Sequence, residues 1–312
     1  MSANKALAGT GISGDPVVAM DDIQLPDADV DPSVEWFKGR YKAQSQIAHG
    51  ADTGGGITQR FRMTQVEVTD PVTGEQYNED VPYISGNSIR GYLRDLLAED
   101  YLRLLAEPDG EPIELSDALF NTLWSGGTLE RGTGPGKLRR RFIKDIREHI
   151  PMLSLLGSAA GTEIWEGRWK TGQLWPVCLE TRDLTGIASD RSVFGSYLDV
   201  EFNTRTDDRE GERDEDDAVS QMRFRVHVLE PGTPFAHRMA LKGATEVERA
   251  CLGRAMELFS TQPFVGGMSA RGYGEVAFEY DHLPDASPYV EYVRDNRDDL
   301  REFVDDLDER LS

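Results

Sequence analysis

The chain of 312 residues is poor in cysteine, histidine and lysine, and it has no long apolar run. Its two cysteines, Cys178 and Cys251, form no Cys-x-x-Cys pair. That argues against a disulfide scaffold and fits a reducing, cytoplasmic setting. The five histidines (His49, His149, His227, His237 and His282) are scattered and share no ligand spacing with a cysteine, so neither a metal nor a cofactor is expected. No stretch approaches the roughly 20 apolar residues of a membrane span. The first residues lack a basic region leading into an apolar core, so no signal peptide is expected.

Cationic charge is also scarce. There are 34 basic residues against 56 acidic ones, a net charge of −22, which favours solubility and repels polyanions. Lysine occurs seven times (positions 5, 38, 42, 137, 144, 170 and 242), leaving 27 of the 34 as arginine, the better planar fork for phosphate. The acid gathers in the N-terminal arm, in the run 207–217 (DDREGERDEDD) and in the C-terminal tail. Segment 137–147 (KLRRRFIKDIR) runs the other way, with six basic residues and one acidic. Its Arg139, Arg140 and Arg141 are candidate nucleic-acid contacts, although a charged run is equally a solvated helix face.

Two motifs set glycine beside arginine. The first, 83–94 (YISGNSIRGYLR), runs a glycine turn through Ser85, Gly86, Asn87 and Ser88 into a helix start. Helix starts carry unpaired N–H groups and partial positive charge, which suit a phosphate. Arg90 and Arg94, four residues apart, project from one side of that helix. The second, 264–275 (FVGGMSARGYGE), places Gly266, Gly267, Met268, Ser269 and Arg271 in a loop whose glycines allow close backbone approach. It precedes a strand, the reverse of a dinucleotide-binding fingerprint. GTGPGKL at 132–138 is not a phosphate-binding P-loop either, because Arg131 and Leu138 stand where Gly and Ser or Thr are required.

The coarse pattern alternates strands with helices. Strands are expected at 36–47, 61–68, 163–177, 222–229 and 274–280. Helical periods begin at Ile89, with Asn87 or Ser88 as cap, and at Thr245, where Glu248 completes a capping box. A short basic helix is expected at 137–150, stopped by Pro151, and a polar terminal helix at 287–311. Residues 179–220 show no core pattern and read as a protruding insertion. The whole reads as an α+β fold: a ferredoxin-like (RRM-like) palm with an antiparallel sheet and helices on one face. Residues 1–33 read as a mobile arm or a lightly docked extension, with the palm at 34–285 and a helical tail at 286–312.

At these residues the chain resembles the RAMP superfamily of CRISPR-associated proteins, in particular the repeating backbone subunit of their effector complexes. Five features carry the resemblance: the glycine loop at 49–56, PYISGNSIRGYLR at 82–94, LSLLG at 153–157, the strand at 222–229 and GGMSARGYG at 266–274. The wording PYISGN is nearest to type IV subunits, with type III and type I-D as alternatives. The resemblance implies a palm with a finger inserted at about 106–150 and a thumb at about 179–220. It also implies guide RNA as ligand, with further copies of the chain, other effector subunits and a target nucleic acid paired to the guide as partners. His49, Gly54 and Gly55 in the first loop, and Arg182 and Arg191 in the thumb, are implied contacts. In type III relatives an aspartate after the first strand cleaves target RNA. Here 57–66 (ITQRFRMTQV) has none, and Asp52 lies earlier, among glycines. A non-catalytic RNA-binding role is therefore expected, with a metal-dependent ribonuclease acting through Asp52 as the alternative.

Overall fold

The structure, a computed structural model, describes residues 19–25, 31–51, 58–106, 113–127, 140–160, 163–205 and 222–311. In chain order its main elements are β1 (Val34–Ala43), β2 (Ile47–Ala48), β3 (Met63–Thr69), β4 (Gln76–Pro82), α1 (Gly86–Leu105), α2 (Arg140–His149), α3 (Pro151–Leu156), β5 (Gly157–Ala160), β6 (Glu163–Glu166), β7 (Trp169–Thr171) and β8 (Trp175–Pro176). They continue with β9 (Leu198–Arg205), β10 (Met222–Leu229), β11 (Pro234–Lys242), α4 (Glu246–Thr261), β12 (Val276–Tyr280), α5 (Ser287–Asp295) and α6 (Arg297–Leu311). Helices and antiparallel sheets make the fold α+β.

The central sheet runs β12, β1, β11, β7, with β8 also on β11, and every pair in it is antiparallel. β1 alternates: Phe37, Gly39, Tyr41 and Ala43 are buried, while Trp36, Lys38, Arg40 and Lys42 are half-buried on the opposite face. The helices cover the first face. On α1 the positions Ile89, Leu93, Leu96, Leu97, Tyr101, Leu104 and Leu105 are all buried, as the period of 3.6 requires. Thr245 and Glu248 form the expected capping box on α4.

Several expectations are corrected. The expected strands at 61–68 and 222–229 both form, but neither joins the central sheet. β3 pairs only with β4 as a hairpin, and β10 pairs with β9 and β2 in a second sheet. The third strand of the central sheet is β11, which the sequence hid. All but Arg238 and Lys242 of its nine residues are buried, so no polar face marks it. The stretch 163–177 is three short strands, and Gly167, between the first two, packs so tightly that a Cβ there would lie 2.5 Å from the carbonyl of Leu155. Pro151 does not merely stop α2. It opens α3, where its missing N–H costs nothing, and all six residues of α3 are buried. Segment 178–197 is no loose insertion: Ile187 packs with Val177 and Ala236, and Val193 and Tyr197 join the main core. The C-terminal helix is two, α5 and α6, which bury Tyr289, Val293, Leu300, Val304 and Leu307.

Candidate nucleic-acid interface

Both glycine motifs stand on one dipeptide, Ala48–His49. The Ala48 carbonyl accepts the N–H of Gly267 at 2.7 Å. His49 Nε2 accepts the N–H of Ser85 at 3.2 Å, which fixes a neutral ring with its proton on Nδ1. His49 is thus buried beneath the helix start, its ring edge-on to Phe61, rather than presented to solvent. β2 is in turn held by β10, with Ala48 opposite Val228.

The helix start itself is closed. Ser85, not Asn87 or Ser88, is the cap, and its Oγ accepts the Asn87 N–H at 3.2 Å. Gly86 donates to Gln173 Oε1 at 2.6 Å, and Ser88 to the Ser85 carbonyl at 3.0 Å. Four consecutive N–H groups, from Ser85 to Ser88, therefore have partners inside the protein, and the expected phosphate cradle of free N–H groups is not there. Gly86 is required for this closure: a Cβ would come within 2.3 Å of the Gly172 carbonyl. Gln173 was invisible to sequence reasoning, since nothing local links it to a glycine 87 positions earlier.

Arg94 and Arg90 part company. Arg94 is 6 % exposed and donates to the carbonyls of Gly157 at 2.7 Å and Leu123 at 3.4 Å. Burial, helped by the nearby charge of Arg90, pushes its guanidinium down to about 10. It braces the turn that ends α3 and is not a free cation. Arg90 is half-buried and makes no hydrogen bond or ion pair with the described residues. Burial lowers its pKa, while Glu166 pulls the other way. It opens into a cleft of about 480 Å³ beside Asn87, Trp124, Ile164 and Glu166.

The second loop is built as its glycines predict. Gly266, Gly272 and Gly274 have φ of 81°, 87° and 90°, and Cβ atoms at Gly266 and Gly274 would meet the carbonyls of Ala48 and Val265 at 2.4 and 2.3 Å. Met268 is the one non-glycine residue with positive φ (64°) among those described, a local strain of about 1–3 kcal/mol. Its side chain packs with Ala48, Val226, Val228 and Tyr273 and so is turned inward. The Tyr273 hydroxyl donates to Glu201 and accepts from Asn203 at 2.9 Å, lashing the loop to β9. The tip Ser269–Arg271 is exposed, and Arg271 makes no hydrogen bond or ion pair through its side chain with the described residues.

The remaining candidates lie apart. Arg182 sits in the short turn Arg182–Thr185 beside Asp183 at 3.4 Å, and Arg191 is exposed. Arg140 and Arg141 open α2. Asp52, Gly54, Gly55 and Arg139 lie outside the described residues. Among the described residues no cluster of His, Cys, Asp and Glu could hold a metal, and no helix is long and apolar enough to cross a membrane.

The fold is similar to that of a solved chain titled Type IV-B CRISPR Complex, with a TM-score of 0.56, 20% identity, and 79% of this chain and 90% of that chain covered. None of the curated proteins matches. The model of the RAMP superfamily matches residues 58–277, a span that holds α1, both strands of the β9–β10 hairpin and the glycine loop. By that match over most of its length, the chain belongs to the RAMP superfamily.

Proposed function

We propose that the chain is a guide-RNA-binding backbone subunit of a CRISPR effector complex. Copies stack along the guide, each holding a few nucleotides by phosphate and sugar, and sequence is left to base pairing. In this reading the sheet β12–β1–β11–β7 with α1 and α4 is a ferredoxin-like palm. The outer strands fall in split βαβ order, and the β9–β10 hairpin is an inserted arm. One observation carries the proposal: in a chain of net charge −22, Arg90 and Arg271 make no side-chain hydrogen bond or ion pair among the described residues and belong to two loops fastened to the same Ala48–His49 footing. Two guanidinium groups brought to one footing in so acidic a protein are suited to receive an anion. The subunit binds and does not cut.

The experiment is purification of the native particle, its absorbance ratio at 260 and 280 nm, and sequencing of any RNA it carries. Arg90→Glu with Arg271→Glu strips the RNA. A double variant with a full RNA load refutes the role of these arginines. Labelled complementary RNA incubated with the particle and magnesium stays intact. Regular cuts lost in Asp52→Ala would assign the chain to catalysis instead.

A further inference from the structure

The scarce lysines are not scattered. Lys38 and Lys42 in β1, Lys170 in β7 and Lys242 in β11 all project from the face of the central sheet opposite α1 and α4, together with Arg40 and Arg238; around Ala236 and Arg238 that face is covered by residues 20–24 and Ile187. Four of the seven lysines of the chain are thus on one face. The register fixes the grid. Lys38 stands opposite Arg238, Trp36 opposite Ala240, and Ala240 opposite Lys170. Trp36 therefore lies one row from the Lys38–Arg238 pair and one strand removed from Lys170.

Carboxylates border this face without filling it. Glu279 pairs with Arg40 at 2.5 Å, Glu166 pairs with Lys170, and Asp31 lies 3.7 Å from Lys242. Asp281 spends a carboxylate oxygen on the backbone N–H of Lys38 at 3.0 Å. The ammonium groups of Lys38 and Lys42 have no partner among the described residues, and Arg238 donates only to the Gln24 carbonyl at 3.1 Å. Trp36 is half-buried, joins none of the three buried apolar clusters and makes no ring contact among the described residues. A half-buried indole without a ring contact or a place in an apolar cluster among the described residues lacks the usual reason for its place.

We propose that this face binds a single-stranded nucleic acid segment, separate from the guide, with Trp36 as stacking platform and Lys38, Lys42, Lys170 and Arg238 along the phosphates. Cations recurring every second residue of β1, about 6.8 Å apart, match the repeat of an extended strand, and an aromatic ring within a cationic track is the recurrent arrangement for sequence-tolerant single-strand binding. An acidic protein surface would use the lysines but leave the indole without a role. The face shares no residue with Arg90, Arg271 or the glycine loop, so the site stands or falls independently of the guide role.

The test uses the full chain as purified and a fluorescein-labelled oligodeoxythymidine, followed by anisotropy over a salt series. Wild type binds, and affinity falls with salt. Trp36→Ala weakens binding roughly 5- to 150-fold, the range of one lost base stack, and Trp36→Phe restores most of it. Changing Lys38, Lys42 and Lys170 together to Gln lowers the salt slope by about 2. None of these lysines is fully buried, so this variant keeps its fold, as circular dichroism reports, even where Trp36→Ala does not. An iodouracil-substituted probe crosslinks to the peptide containing Trp36. The inference is overturned if wild type binds no oligonucleotide. It is equally overturned if affinity ignores both sets of changes, or if those changes alter particle size and leave affinity alone, which would make the face a contact between copies. A particle without RNA refutes the guide role only.

Discussion

Lowering the pH should unfold this protein through His237. The side chain is fully enclosed in the central sheet, with Nδ1 2.7 Å from the Tyr280 hydroxyl and Nε2 3.1 Å from Thr171 Oγ1 and 3.3 Å from the Gly172 carbonyl. Tyr41 extends the chain through a 2.8 Å contact between hydroxyls. No carboxylate among the described residues is hydrogen-bonded to the ring, and burial lowers its pKa from 6.5 to about 4, with the Gly172 carbonyl opposing. Between those values the unfolded chain takes up a proton that the folded one refuses, so stability falls as pH drops through that window and is fully present above it. That lowering of the pKa is worth roughly 3 kcal/mol, of which about 2 kcal/mol is lost by pH 5. The assay is urea unfolding of wild type and His237→Gln at pH 7.5, 6, 5 and 4.5. The variant starts less stable but loses about 2 kcal/mol less between pH 7.5 and 5. Parallel decline of the two proteins would refute the assignment and move the acid sensitivity to the carboxylates.

Other outcomes follow from the same geometry. Gly86→Ala forces a methyl against the Gly172 backbone and should lower the melting temperature by several degrees, since 1 kcal/mol corresponds to roughly 2–4 °C in a chain of this class; calorimetry checks it. Arg94→Met removes the hydrogen bonds to the carbonyls of Gly157 and Leu123 and costs about 1–3 kcal/mol in denaturant unfolding, whereas Arg90→Met changes stability by less than about 0.5 kcal/mol. Equal effects of the two would show that the burial difference between them is wrong.

The helices were legible because their evidence is local. Ile89 to Leu105 repeats at one period, and Thr245 with Glu248 spells a cap whatever surrounds it. β11 was not legible, because it is buried on both faces apart from Arg238 and Lys242 and so shows no alternation, unlike β1. The same limit divided Arg94 from Arg90. Spacing of four puts them on one side of α1, but only the arrival of α3 and the 121–127 turn decides which of them is enclosed. The phosphate cradle at Ser85–Ser88 failed for a related reason. The sequence advertises donors, and their acceptors, His49 and Gln173, come from far along the chain.

The footing at Ala48–His49 makes one jaw of what look like two fingers. A partner that pries the glycine tip outward must strain the Gly267 amide on Ala48, and through the next residue the Ser85 amide on His49. Amide hydrogens at 85 and 267, separated by 182 positions, should then exchange with deuterium in step, and a ligand gripping either lip would slow both.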